Sequence, residues 1–171
     1  LADGIQGASA EQQQAFAKAA GEFEAAQKFN ADTPEARTAL GSFHARQGRL
    51  AEAEARLLSA LKLEPRYVPA YVNLADLYRL MGRDADSERT LRDGLRQVPQ
   101  SAELQHAHGL ALVRLKRTAE AVTALRRATQ LAPENPRYAY VLAVALNSTG
   151  QAPAALKELR RGLHRNPGNL D

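Results

Sequence analysis

The chain has 171 residues, of which 44% are hydrophobic and 25% are charged, and its formal net charge is +4. The absence of cysteine excludes disulfides, zinc–thiolate sites and cysteine nucleophiles within this segment. No run of about 18 apolar residues is present to span a membrane, and the length suits either one ordinary domain or a short linear array.

Residues 1–33 are predicted to form a loose start followed by one helix. Gly4 and Gly7 favour a loop, and Ser9 is a candidate N-cap for a helix over about residues 10–29. The second half of this helix lies one period before a later helix, which predicts a degenerate half repeat. The matching positions are Ala19, Phe23 and Ala26, followed by Ala53, Leu57 and Ala60.

From residue 34 onward the chain repeats one pattern every 34 residues. Proline, small residues and leucine all recur at this spacing. The prolines are Pro65, Pro99, Pro133 and Pro167, one set of small residues is Gly41, Ala75, Gly109 and Ala143, and the leucines are Leu57, Leu91, Leu125 and Leu159. A period of this length predicts a stacked array of helix pairs rather than one closed core.

Four units follow, each predicted to hold two helices. The units are residues 34–67, 68–101, 102–135 and 136–171, and the helix pairs are 34–47 with 50–64, 68–81 with 84–98, 102–115 with 118–132, and 136–149 with 152–165. Gly48, Gly82 and Gly150 suit the left-handed turn between the two helices of a unit. Lys116 takes that place in the third unit, which predicts weaker capping there.

The repeated positions resemble those of the tetratricopeptide repeat family, which has two helices per 34-residue unit. Leu40, Leu74 and Leu142 each precede a glycine or alanine, as in the family, whereas His108 replaces leucine in the third unit. The resemblance implies an all-α fold, a right-handed α-α superhelix (solenoid). It also implies a concave groove lined by the first helix of each unit.

The same resemblance implies which side chains line the groove and what the groove binds. The candidate partner-binding residues are Arg46, Val72, Asn73, Asp76, Arg79, His106, Leu110, Arg114, Tyr140 and Asn147. Asn73 resembles the asparagine with which many family members hold a peptide backbone. Apolar side chains mixed with arginine predict a protein partner that presents a peptide or helix with apolar anchors and some acidic character.

Other functional classes find less support in the residues. Basic side chains are interleaved with Glu and Asp and stacking aromatics are scarce, which argues against nucleic-acid binding. His106 and His108 are two positions apart and point to nearly opposite sides of a helix, so they cannot hold one metal ion together. With no phosphate-binding glycine loop or nucleophile elbow, we predict a protein that is not an enzyme and that carries no cofactor and no metal.

Residues 66–88, together with the long helix leading into residues 32–50, are also similar to the C-terminal repeats of bacterial multihaem c-type cytochromes. That resemblance implies an accessory docking arm of a larger exported protein, in the periplasm; a free-standing adaptor in the cytoplasm or periplasm is the competing interpretation. Both ends look cut, so we expect a piece of a longer protein. The last helix would expose Leu156, Leu159 and Leu163, which predicts self-association unless a following helix covers them.

Overall fold

The structure is a computed structural model that describes residues 14–15, 17–19, 21 and 33–165. The residues described before position 33 are helical, in agreement with the helix predicted there. Ser9 and the remainder of residues 1–33 lie outside the described residues, as do residues 166–171.

Between residues 33 and 165 every regular element is an α-helix, and the helices follow one another as four pairs. They are α1 (Pro34–Arg46), α2 (Leu50–Leu63), α3 (Val68–Leu80), α4 (Asp84–Gln97), α5 (Ala102–Arg114), α6 (Thr118–Leu131), α7 (Pro136–Ser148) and α8 (Ala152–Arg165). Each helix begins at the predicted residue and ends at, or one residue before, the predicted end. The division of the chain into domains at residues 33, 67, 101 and 135 stays a prediction.

Three of the first helices are capped by the side chain that precedes them. Thr33 Oγ1 accepts a hydrogen bond of 3.2 Å from the backbone N–H of Ala36, and Ser101 Oγ accepts one of 3.2 Å from Leu104. Asn135 Oδ1 accepts a bond of 3.1 Å from the N–H of Arg137. These bonds satisfy N–H groups that the first turn of a helix leaves without a backbone acceptor.

The turn inside each pair has the same left-handed residue whether or not it is glycine. Gly48, Gly82 and Gly150 have φ values of 74°, 72° and 75°, and Lys116 has a φ of 60°. The backbone N–H of Arg117 still donates to the carbonyl of Leu112 at 2.9 Å, as in the other turns. Lysine therefore preserves the turn, although a side chain in this conformation is less favourable than glycine.

The two helices of a pair approach each other most closely at small residues. In the third pair, a Cβ atom added to Gly109 would lie 2.6 Å from Leu125 Cγ and 3.3 Å from the carbonyl oxygen of Ala121. Leu125 and Ala121 are both 0% exposed, so neither can move into solvent. Gly41 lies similarly close to Leu57 in the first pair. Small residues at these places therefore set the spacing of the helices.

Gly109→Ala is expected to lower the free energy of unfolding by about 1–3 kcal/mol, because the added methyl group displaces the buried side chain of Leu125. The matched control is Gly21→Ala, since beyond its own helical turn no heavy atom of the described residues lies within 4 Å of a Cβ at this glycine. The control is expected to be neutral or to stabilise by up to about 1 kcal/mol. Urea denaturation followed by circular dichroism measures both changes. Equal stability of the two variants would contradict this account of the packing.

A buried carboxylate lies at the interface between the second and third pairs. Glu88 of α4 is 6% exposed, and its Oε1 is 3.1 Å from Nε2 of His108 in α5. Arg117 Nη1 is 3.4 Å from the same oxygen, and Arg92 Nη1 is 3.8 Å from Oε2. Two arginines and one histidine thus surround the carboxylate and compensate for its loss of water.

At the neighbouring interfaces, the residues equivalent to Glu88 make different contacts. One period before Glu88, Glu54 accepts a hydrogen bond of 2.6 Å from the hydroxyl of Tyr78, and Arg83 Cζ lies 4.4 Å from the centre of the Tyr78 ring. Burial and the bond to Glu54 raise the pKa of Tyr78 to about 12. One period after Glu88, Val122 instead packs in an apolar cluster with Leu142. At this register position two successive interfaces are therefore polar, and the third is apolar.

Candidate binding face of the first helices

The first helices of successive pairs lie side by side. α3 contacts both α1 and α5, in addition to the contacts that each helix makes with its neighbours in the chain. We call the exposed side of α1, α3, α5 and α7 the first-helix face. It exposes four large apolar side chains, which are Leu80, Val113, Tyr140 and Val144.

The ten residues predicted to line the groove lie on these helices and differ in exposure. The exposed ones are Arg46, Asp76, Arg79, Arg114, Tyr140 and Asn147. Val72, Asn73 and Leu110 are half-buried, and His106 is 7% exposed. At most of these places, the position of the residue along its helix therefore predicted an accessible side chain. The side chain of His106 is buried instead. Whether any of the ten contacts a partner stays a prediction.

A cleft of about 330 Å³ brings five of the ten together, namely Val72, Asp76, His106, Leu110 and Arg114. Arg46, Asn73, Arg79, Tyr140 and Asn147 lie outside it. The cleft is also lined by residues that sequence reasoning did not select, among them Ser87 of α4 and Asn135 and Tyr138 at the start of α7. In the sequence, Ser87 can be recognised only as a small packing residue, and Asn135 can be recognised only as a helix cap.

His106 is the most unusual side chain in the cleft. Its ring stacks on that of Tyr138, with the ring centres 4.5 Å apart. Burial and the positive charge of Arg137 lower the pKa of His106 to about 4, so the imidazole is neutral at pH 7. Both ring nitrogens are buried, and within the described residues neither has a hydrogen-bond partner.

Ser87 presents a similar case in the same cleft. The side chain is 0% exposed, and its hydroxyl has no hydrogen-bond partner among the described residues. Buried polar groups in folded proteins are nearly always hydrogen-bonded, because an unpaired one loses the bonds it made to water. Ser87 and His106 therefore place polar atoms next to one cleft in positions that are closed to solvent.

Several charged or polar candidates are already engaged within the chain. Arg79 Nε lies 3.2 Å from Asp76 Oδ1, and Arg114 Nε lies 3.0 Å from Asp84 Oδ1. The Nδ2 group of Asn73 donates to Ser42 Oγ at 3.1 Å and so links α3 to α1. These bonds fix the orientation of the side chains and leave part of their hydrogen-bonding capacity for a partner.

Two further classes of site were sought in the part of the chain that the structure describes. No group of three or more His, Asp or Glu side chains there could hold a metal ion. None of the helices there is long and apolar enough to cross a membrane.

Comparison with known proteins places these features in context. A tetratricopeptide repeat family model matches residues 6–67 and 106–169, and a second tetratricopeptide repeat model matches residues 46–110. Protein y4yS of Sinorhizobium fredii is 37% identical over 93 residues, which cover 54% of this chain and 50% of y4yS. The chain thus spans about half the length of that curated relative.

Solved structures share the architecture over most of the chain. MamA from Desulfovibrio magneticus has a TM-score of 0.71 at 16% identity, covering 93% of this chain and 90% of MamA. TTC0263 from Thermus thermophilus has a TM-score of 0.71 at 26% identity, covering 91% and 86%. YrrB, described as having an unusual peptide-binding site, has a TM-score of 0.65 at 14% identity, covering 94% and 82%.

These similarities confirm the predicted all-α, right-handed superhelix. They give no support to the resemblance to multihaem cytochromes, and the interpretation as an accessory docking arm stays a hypothesis about the protein to which the chain belongs.

Proposed function

This chain belongs to the tetratricopeptide repeat family, and on that premise we propose that it is a protein-interaction scaffold. Its first-helix face binds a peptide or a helix of a partner protein. The partner contributes apolar anchors and some acidic side chains, and the interaction involves no chemical step on the scaffold.

The observation that carries the proposal is the apolar surface on the first-helix face. Tyr140 and Leu80 are each 61% exposed, Val144 is 52% exposed and Val113 is 43% exposed. Large apolar side chains grouped on one face lose their contact with water when a partner covers them, and such groups mark interaction sites. Two of these side chains, Tyr140 and Val144, lie on the same helix, α7 of the fourth pair.

The charges beside this surface define the polar part of the partner. Arg79 and Arg114 already pair with Asp76 and Asp84, so a partner carboxylate must compete with an internal one. Exposed ion pairs of this kind contribute roughly 0–1 kcal/mol. We infer that apolar contacts supply most of the affinity, while the arginines favour an acidic partner and orient it.

A library of phage-displayed random dodecapeptides tests this function. Peptides selected on the intact chain are expected to bind Val144→Asp at least roughly tenfold more weakly, because the new carboxylate disrupts an apolar contact. Arg79→Glu with Arg114→Glu is expected to weaken acidic peptides by a smaller factor. The matched control is Leu58→Asp, which places the same charge on a leucine of α2 that is 41% exposed. Fluorescence anisotropy measures the Kd values, and circular dichroism verifies folding.

Two results would contradict the proposal. One is a selection that yields no binding peptide, and the other is an equal loss of affinity in Val144→Asp and Leu58→Asp. The second result would show that the first-helix face is not the specific binding surface.

Self-association is a second candidate function, and it is favoured by the surface of α8. Leu156 and Leu163 are 55% and 48% exposed, whereas Leu159 is partly buried against the core cluster that contains Leu142. The expectation that all three leucines are uncovered is therefore wrong for Leu159. Light scattering over a wide range of concentrations tests the proposal: a mass that falls to that of a monomer in Leu156→Asp with Leu163→Asp supports it. A monomeric mass for the unaltered chain throughout would contradict it.

A further inference from the structure

We propose that the second helices of the third and fourth pairs bind an acidic segment of a protein, with Arg126 holding one of its carboxylates. We call the exposed side of α4, α6 and α8 the second-helix face. It lies on other helices than the first-helix face, so the inference goes beyond the proposed function and does not depend on it.

Two clefts flank α6 on the second-helix face. One of about 600 Å³ is lined by residues of α4, α5 and α6, and one of about 320 Å³ is lined by residues of α6, α7 and α8. The second cleft repeats the first one period later, since Arg127 lines the first and its equivalent Arg161 lines the second. Arg126 and Gln130 are exposed and line both clefts, so a ligand in either cleft can contact them.

The positive charge of Arg126 is available to a partner. Among the described residues, no hydrogen bond or ion pair engages its guanidinium group. Arg127 donates to the neutral side-chain oxygen of Gln130 at 3.4 Å. By contrast, Arg79 and Arg114 of the first-helix face are already paired with carboxylates. Because a guanidinium group can hold a carboxylate through two parallel hydrogen bonds, Arg126 is the strongest candidate on this chain to receive one.

The acidic residues that line the clefts do not cancel this charge. Glu120 accepts hydrogen bonds of 2.8 and 2.6 Å from Arg117, and Glu158 is 3.4 Å from Arg161. In the sequence, α6 and α8 together hold six basic and two acidic residues, whereas α2 and α4 hold five basic and six acidic. The positive charge of the second helices is therefore concentrated around the two clefts, which favours an acidic ligand there.

The composition of the second-helix face favours a protein ligand over nucleic acid or a membrane. The four second helices contain no Phe, Tyr or Trp, so no aromatic ring is available on them to stack on a base. A helix that binds a membrane surface presents large apolar side chains to it. Of α4, α6 and α8, as far as the structure describes them, only α8 exposes such side chains, and these, Leu156 and Leu163, line neither cleft.

A fluorescein-labelled deca-glutamate peptide tests the inference by fluorescence anisotropy in about 50 mM NaCl. Arg126→Glu is expected to raise the Kd at least roughly tenfold, because it reverses the charge that both clefts share. The matched control is Arg56→Glu, which makes the same change of charge at an exposed arginine of α2 that also has no ion pair in the described chain. The control is expected to raise the Kd by less than about threefold.

Circular dichroism verifies that both variants fold. Arg126→Gln removes the charge and retains a polar side chain, so it provides the same test if Arg126→Glu is unfolded. It is expected to raise the Kd by at least about threefold.

The outcomes separate this inference from the proposed function. The inference is overturned if deca-glutamate does not bind the unaltered chain, or if Arg126→Glu and Arg56→Glu lose affinity equally. It is also overturned, with the proposed function left standing, if Arg79→Glu with Arg114→Glu abolishes binding and Arg126→Glu does not. Tighter binding to deca-thymidylate or to phosphatidylserine vesicles, with the same dependence on Arg126, overturns it in favour of phosphate. If dodecapeptide selection fails while deca-glutamate still requires Arg126, the proposed function fails and this inference stands.

Discussion

Glu88→Val is expected to lower the free energy of unfolding by roughly 2–3 kcal/mol. The substitution removes the acceptor of His108, whose side chain is only 17% exposed, and leaves Arg117 with Glu120 as its remaining acidic partner. The positive charges that surrounded the carboxylate then repel one another at an interface between helix pairs. Urea denaturation at pH 7, followed by circular dichroism, measures the loss.

The apolar interface between the third and fourth pairs indicates how the loss can be recovered. Val122 occupies the place of Glu88 there, and Leu142 occupies the place of His108. Glu88→Val combined with His108→Leu is therefore expected to be more stable, by roughly 1–2 kcal/mol, than the sum of the single variants predicts. A double variant that only adds the two single losses would show that the residues do not act as a pair.

An exposed ion pair on the same helix provides the control. Asp93 and Arg96 of α4 are 2.7 Å apart, with side chains 47% and 69% exposed. Asp93→Ala is expected to change the free energy of unfolding by less than about 0.5 kcal/mol, because water and salt screen the pair. A loss as large as that of Glu88→Val would mean that burial does not determine the contribution of Glu88.

The stability of the chain is expected to fall as the pH decreases from about 7 to about 4, with His106 as one identifiable cause. In the folded state its pKa is about 4, below the ordinary value of 6.5. Between these values the unfolded chain binds a proton that the folded chain does not, so the contribution of His106 to stability is present above pH 6.5 and is lost as the pH falls. The integrated loss is roughly 3 kcal/mol at most.

His106→Gln isolates this contribution, because glutamine does not titrate. The free energy of unfolding of the variant is expected to vary less between pH 6.5 and 4 than that of the unaltered chain. The other charged residues around the ring are the same in both proteins, and they are Asp76, Glu103, Arg114 and Arg137. His164→Gln is the control, since His164 is exposed. Parallel pH profiles for the unaltered chain and His106→Gln would contradict the assignment.

Most of the helical architecture could be predicted from the sequence because its determinants are local and repeated. Gly48 and its equivalents mark the turns, and the recurring prolines limit the helices. The 34-residue period then predicts the structure at places that depart from the pattern. Lys116 is an example, because its backbone takes the same left-handed conformation as the turn glycines. Redundancy among repeats therefore compensates for a single missing signal.

The details of the site could not be predicted because they depend on residues that meet across helix pairs. His108 is visible in the sequence only as a replacement for leucine, since its partner Glu88 belongs to the preceding pair. Register places Thr38 and His106 on the first-helix face, yet they are 5% and 7% exposed. For His106, the stacked ring of Tyr138 in the next pair contributes to this burial.

The change from polar to apolar interfaces along the chain implies an order of opening. In a linear array each pair is stabilised mainly by its nearest neighbours, so separate segments can open below the free energy of global unfolding. The cluster that contains Val122 and Leu142 is apolar, whereas Glu54 and Glu88 form ion pairs at the two preceding interfaces. We therefore expect amide hydrogens of α6 and α7 to exchange most slowly in high salt, and those of α1 and α2 to exchange first. A partner bound at Tyr140 and Val144 would then contact the segment of the chain that opens least often.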